Sequence, residues 1–203
     1  MEKAKKLKLF IGIFYIILVG LFLYIFFSKF SLQEITSYDF IKNNRDYFFD
    51  LRQSNLLILA LSFVLFTIIW VLAAGFGSPV AILSGFIFGK WIGTFVVVFG
   101  LSTGAILLYI FANFFLKDII KNKFLEKYKN LGDKFKNSEF LYLLIYRFIG
   151  GIPFAISNVL PCLFNVRPLN FFFASLLGMT PQLFLVVSIG SGLEKIIDQN
   201  LKT

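Results

Sequence analysis

Residues 140–164 read FLYLLIYRFIGGIPFAISNVLPCLF, a stretch with Arg147 near its middle and Gly150, Gly151, Pro153 and Pro161 interrupting it. It is long enough to cross a bilayer at about 20 residues per helical crossing. Hydrocarbon tolerates neither feature cheaply. A charge inside a span costs upward of about 2.5 kcal/mol, so it normally faces a protein interior or a wet cavity. Backbone groups freed at a Gly/Pro break must likewise be satisfied by protein or water. An arginine beside a broken helix therefore reads as a site.

The rest of the chain supplies the apolar solvent that this argument assumes. Of 203 residues, 58% are hydrophobic and 29 are Phe, and the mean hydropathy is +0.82, the composition of a polytopic membrane protein. All five prolines lie in or at the edges of apolar segments, so breaks within the membrane are a pattern here. Lys and Arg outnumber acids by 20 to 11. The excess is clustered, with Lys3, Lys5, Lys6 and Lys8 at a basic N-terminus that suits a cytoplasmic flank or an anionic lipid surface. No soluble fold presents that charge to nucleic acid, which excludes a nucleic-acid partner. Cys162 is the only cysteine and there is no histidine, which excludes a disulfide within the chain and a His/Cys metal cluster. No cofactor is expected, and Cys162 reads as a small buried residue.

Along the chain, residues 9–30 form a first apolar run, too long for the hydrophobic core of a signal peptide, which is about 7–15 residues. Residues 31–54 are the most polar part and read as a short amphipathic interfacial piece. Residues 55–75 and 91–116 are further spans. Between them Gly77-Ser78-Pro79 opens a short apolar piece, 80–88, too short to cross as a helix and read as a re-entrant hairpin. Pro168 opens a last span, 170–189, which Gly178 and Pro181 are expected to kink. The domains are thus an N-terminal helix with its interfacial segment (1–54), a membrane domain (55–193) and a short polar tail (194–203).

Two charge signals disagree under this count. Seven lysines between 117 and 136 mark that loop as cytoplasmic, as the N-terminus is. Both hold only with an even number of crossings between them, whereas these spans give an odd number.

Gly77-Ser78-Pro79-Val80-Ala81-Ile82 is echoed by Gly151-Ile152-Pro153-Phe154-Ala155-Ile156. Both have the form G-x-P-x-A-I and each precedes one long apolar span. Transporters carry such repeats, with broken helices at corresponding positions near the midplane. Gly85, Gly89 and Gly93 stand four apart, continued by Gly100 and Gly104, a spacing that lets helix backbones approach closely in lipid. Arg147 has no acid in its apolar stretch, Glu139 being at the edge. Snorkelling to an interface is the structural alternative. An unpaired guanidinium suits a phosphate, which it grips with two parallel hydrogen bonds. Ser157 and Asn158 are expected to add neutral donors to the same ligand, and amides around Gly150 and Gly151 an anion-binding concavity.

The run RFIGGIPFAISN from Arg147 to Asn158, with PVAILSGFIFGKWIG from Pro79 to Gly93, resembles the DedA superfamily, whose shared core is called the VTT or SNARE-associated domain. The resemblance covers about residues 75–192. It implies two facing re-entrant hairpins in inverted repeats and lipid transport, of polyprenyl-phosphate carriers or other phospholipids in bacterial members and phospholipid scrambling in eukaryotic relatives. By position, Pro79, Gly85, Phe88, Gly89 and Gly93 match the first hairpin, and Arg147, Pro153 and Asn158 the second. The family commonly has proline where Gly150 stands, glycine at Cys162 and arginine at Asn113. Residues 70–78, WVLAAGFGS, lack the acid that the DedA-proper branch has before its first hairpin, so the chain looks closer to the Tvp-like branch and proton coupling loses its obvious residue.

The expected fold is all-α and polytopic, about four spanning helices plus two facing re-entrant hairpins in an inverted repeat. The expected function is lipid translocation in a bacterial inner membrane, with anionic-headgroup lipids as partners and the glycine faces leaving room for a homo-oligomer. A non-transporting assembly or scaffold role is the alternative. An enzyme is not expected, because the membrane segments offer no His, no paired acids and one Cys.

Overall fold

In hydrocarbon, a helix is the open-ended structure that satisfies its own backbone. In a computed structural model of the chain, the described residues are 2–29, 38–73, 75–123 and 138–202, and every regular element among them is helical. α1 is Glu2–Lys29. α2 is Tyr38–Leu72, interrupted at Asn55 (φ −158°, ψ 73°), which separates its polar start from its apolar remainder. α3 is Gly77–Lys123, broken at Gly89. α4 (Glu139–Ile149) and α5 (Phe154–Val159) are short, and α5 runs into a 3-10 turn, Leu160–Phe164. α6 is Pro168–Lys202, helical through Gly178 and Pro181. Among the described residues, four stretches are long and apolar enough to cross a membrane by length and composition: Phe10–Lys29, Asp46–Leu72, Gly77–Phe115 and Pro168–Leu193.

α3 reverses at Gly89. Ser84 Oγ donates to the Gly93 carbonyl at 2.8 Å, and a Cβ on Gly93 would lie 2.6 Å from the Ser84 carbonyl oxygen. Nine residues of straight helix span about 13.5 Å, so the arm 77–88 is folded back on the arm 90–123. Another reversal precedes it, just after Leu72. There Trp70 Nε1 donates to the Phe76 carbonyl at 2.8 Å and the Gly75 amide to the Trp70 carbonyl at 2.9 Å. α2 runs alongside 90–123 in the same sense, Thr67 against Gly100 and Val71 against Gly104, where an added Cβ would come within 2.9 and 2.7 Å. α2 and the arm 77–88 are therefore an antiparallel hairpin, closed after Leu72 and open at Gly89.

α4 and α5 form a second hairpin, closed at Gly150–Pro153 and open at Glu139, whose Oε1 accepts from the Arg167 amide (2.7 Å) and Asn170 Nδ2 (3.0 Å). α4 runs beside α6 in the same sense, from Glu139 at Asn170 to the Phe148 carbonyl, which accepts from Gln182. α6 is antiparallel to 90–123, with ring pairs Trp91–Phe184, Phe99–Phe172 and Tyr109–Phe171. The two hairpins thus point in opposite directions along the bundle. Each short arm starts at a G-x-P motif, within it at Gly77 or just after it at Phe154, and ends at a left-handed residue, Gly89 (φ 74°) or Asn165 (φ 48°), before a long helix.

The path also removes the charge conflict. α1 is antiparallel to α2 and to 90–123: Tyr15 packs on Phe111 and donates to the Leu72 carbonyl, Phe26 packs on Trp70, and Lys8 lies over the Phe114 ring at 4.7 Å. The basic N-terminal end of α1 and the end of α3 at Lys123 therefore share one end of the bundle; the remaining lysines, 127–136, lie outside the described residues. The odd count from sequence treated residues 55–75 as an independent crossing. In the structure they pair with the arm 77–88 as an antiparallel hairpin, so the two run opposite ways along the bundle.

Candidate functional site

α4 is amphipathic toward α6: Leu143 and Arg147, four residues apart and so on one helical face, are its buried residues. Arg147 is 4% exposed. Nε donates to Ser175 Oγ (3.0 Å), Nη1 to Ser157 Oγ (2.7 Å) and Nη2 to Asn158 Oδ1 (2.6 Å). It also lies over the Phe171 ring at 4.8 Å. Three of its five N–H groups are engaged by neutral acceptors from α5 and α6. Glu139, the acid nearest in sequence, is engaged instead with Arg167 and Asn170.

A cavity of about 280 Å³ lies between the closed ends of the two hairpins, lined by Phe76, Gly77 and Ser78 from the first, by Tyr146, Arg147, Gly150–Ile152 and Phe154 from the second, and by Met179, Gln182 and Val186 of α6. No acid lines it. Its rim is exposed at Phe76, Gly151, Ile152 and Gln182, so it opens sideways from the bundle. Gly150 (φ 68°, ψ −143°) and Gly151 (φ 82°) turn the chain here. Proline holds φ near −65°, so it cannot replace Gly150 on this path, and the departure from the family's proline goes with a glycine-specific corner. Gln182 fills the space beside Gly150 and donates to the last-turn carbonyl of Phe148.

The sequence-predicted residues divide into two groups. Ser157, Gly150, Gly151 and Arg147 line the cavity, with Asn158 fully buried behind the guanidinium and Pro153 capping α5. Pro79 sits in the first turn of its arm, beside the cavity-lining Gly77 and Ser78. Gly85, Phe88, Gly89 and Gly93 lie toward the open end of the first hairpin. Gly85 abuts Val187 and Ser191 of α6, Phe88 packs edge-on to Phe63 at 5.4 Å, and Gly93 meets Ser84. Gly89 has no neighbour within 4 Å where a Cβ would stand, so its backbone angle rather than packing explains it. Pro161 is the second residue of the 3-10 turn and does not line the cavity.

Ser157 and Asn158 were expected to donate to a ligand. Their oxygens instead accept from Arg147; Ser157 Oγ donates to the Phe154 carbonyl (2.8 Å), and Asn158 Nδ2 is buried with no hydrogen-bond partner among the described residues. Sequence reasoning missed Ser175, Tyr146 and Gln182. Gln182 carried a signal, as an amide within the last apolar span, where polar groups call for a reason.

The family model of the VTT domain matches residues 76–192, more than half of the chain. The uncharacterized protein YqeD of Bacillus subtilis (strain 168) is 32% identical over 115 residues, 55% of this chain and 55% of its own. A transmembrane protein 41 homolog of Caenorhabditis elegans is 26% identical over 136 residues, 64% of this chain and 55% of its own. The chain spans about half the length of these curated relatives. No solved structure matches. The chain belongs to the VTT-domain family, the DedA superfamily of the sequence resemblance, and with four apolar helices it is an integral, multi-pass membrane protein.

Proposed function

We propose that this protein carries the phosphate headgroup of a lipid across a bacterial plasma membrane, through the cavity between two re-entrant hairpins that enter from opposite faces. The observation that carries the reading is Arg147: a buried guanidinium at the wall of a laterally open cavity, with only neutral hydrogen-bond partners among the described residues. A phosphate supplies the missing negative charge and accepts from the second N–H of Nη1 and of Nη2. At about 280 Å³ the cavity has room for a headgroup, while the tails of a phospholipid or polyprenyl phosphate stay in the bilayer past the exposed Phe76 and Ile152.

The protein is proposed as a transporter rather than an enzyme. Two hydroxyls on the second hairpin's side of the cavity wall, Ser157 and Tyr146, donate to the carbonyls of Phe154 and Ser157 rather than to a base. The scaffold alternative drew on the glycine faces, but Gly85, Gly93, Gly100 and Gly104 are packed against the chain's own helices. The test is movement of a labelled phospholipid or polyprenyl phosphate in vesicles holding the purified protein. Transport above that of empty vesicles, lost in Arg147→Ala at equal insertion, is expected. No transport by the natural chain, or an unchanged rate in Arg147→Ala, contradicts the reading.

A further inference from the structure

Each hairpin is held at its open end by one charged side chain of its incoming helix, and the two holds have opposite sign. In the first, the arm 77–88 stops at Gly89, which leaves the carbonyls of its last turn without helical partners. Arg52, half-buried on α2, donates through Nη1 to the Ile87 carbonyl at 3.4 Å. In the second, the chain turns at left-handed Asn165 and α6 begins with amides that have no helical acceptor. Glu139 Oε1, in the first turn of α4, accepts from the Arg167 amide at 2.7 Å and from Asn170 Nδ2 at 3.0 Å. A cation at a helix's carbonyl end and an anion at its amide end are the signs the helix dipole favours.

The second hold bears on the cavity directly. Glu139, Leu143 and Arg147 follow one another at intervals of four, on the face of α4 turned to α6. α4 is thereby fixed on α6 at two points, Glu139 at Asn170 and Arg147 at Ser175, with Leu143 buried between them. Register along a helix pair needs two such points, since one allows rotation about itself. The geometry points to Glu139 as a positioning residue that sets, from the end of the bundle, the height of Arg147 and of the Gly150–Pro153 corner at the cavity. Arg52 is its counterpart for the first hairpin. The inference rests on the proposed function only in taking this cavity as the place where the ligand binds.

The test is dipolar EPR between spin labels at Ser78→Cys and Ile152→Cys, on opposite walls of the cavity, in the full chain carrying Cys162→Ser in lipid vesicles. A single narrow distance distribution is expected for the parent and for Glu139→Gln, whose amide oxygen still accepts from both donors. Glu139→Ala should lose it and give a broadened, shifted distribution. If Glu139→Ala does not accumulate, Asn170→Ala removes one of the two donors and should broaden it partway. An unchanged distribution in the variant measured overturns the inference, and so does a Glu139→Gln distribution as broad as that of Glu139→Ala, since the acceptor would then not be what matters. The readout is a distance, so it stands whether or not the protein moves the lipids tested. Transport in the same vesicles, restored in Glu139→Gln and reduced in Glu139→Ala, joins the positioning role to the proposed function.

Discussion

The guanidinium of Arg147 has to serve two sets of partners, the neutral oxygens that hold it and the ligand that completes its charge. Its planar fork does both, because Ser175, Ser157 and Asn158 take one N–H from each nitrogen and leave a second on Nη1 and Nη2. Lysine offers a point charge that cannot reach three separate oxygens and a phosphate together. Arg147→Lys is therefore expected to lose most transport in the vesicle assay although the charge is kept, and Arg147→Ala to lose all of it. Asn158→Ala removes an acceptor for a charged donor, worth about 1.5–3 kcal/mol, and should leave a rate between those of Arg147→Ala and the natural chain. Equal rates for Arg147→Lys and the natural chain would show that only charge counts. Arg147, Ser157 and Asn158 were legible as a cluster in the sequence, because a charge and two polar groups beside a broken span need one another. Their division of labour was not. Whether Asn158 faces the ligand or the arginine depends on how α5 folds back on α4, which no spacing within residues 147–158 encodes. Ser175 comes from another helix altogether.

At the scale of elements, glycine serves two distinct purposes that one spacing rule cannot separate. Gly85 is a contact: a Cβ there would collide with the backbone of Val187, so Gly85→Leu must push the first hairpin off α6. Gly20 has nothing within 4 Å and serves as the control, unlike Gly12, where a Cβ would come within 3.1 Å of Phe115. In detergent, Gly85→Leu is expected to lower the midpoint of denaturant unfolding sharply and Gly20→Leu to leave it nearly unchanged; equal midpoints would refute the close-contact argument. Gly89 is a conformation: at φ 74°, ψ 175° it occupies a region essentially reserved for glycine. Gly89→Ala, which adds one carbon in open space, should still cost about 1–3 kcal/mol in the same titration; no loss would mean the corner relaxes freely. The sequence predicted the helices and a short arm at residues 80–88 from length and hydropathy alone. There residues 80–88, opened by Pro79, read as a re-entrant hairpin in themselves, whereas they are one returning arm and the chain reverses on both sides of it.

The whole molecule is two copies of one path, a helix entering, a short arm returning after G-x-P, a left-handed corner and a long helix, arranged head to tail so that the closed ends overlap at one cavity. The G-x-P-x-A-I echo carried that repeat in the sequence, but only the packing of α4 along α6 and of α2 along 90–123 fixes their opposite directions. The same path places the lysines of α1, the end of α3 and the corner at Asn165 at one end of the bundle, and the corner at Gly89 at the other. Positive charge favours the cytoplasmic side, so Arg167, just after Asn165, should face the cytoplasm, and the exposed Lys90, just after Gly89, the outside. The measurement is labelling of Lys90→Cys and Arg167→Cys, each in a Cys162→Ser chain, with a membrane-impermeant thiol reagent applied to intact cells and to inverted membrane vesicles. Labelling of Lys90→Cys only in cells and of Arg167→Cys only in inverted vesicles is the predicted result. Labelling of both from the same side would contradict two hairpins entering from opposite faces, and with it the cavity as a route across the membrane.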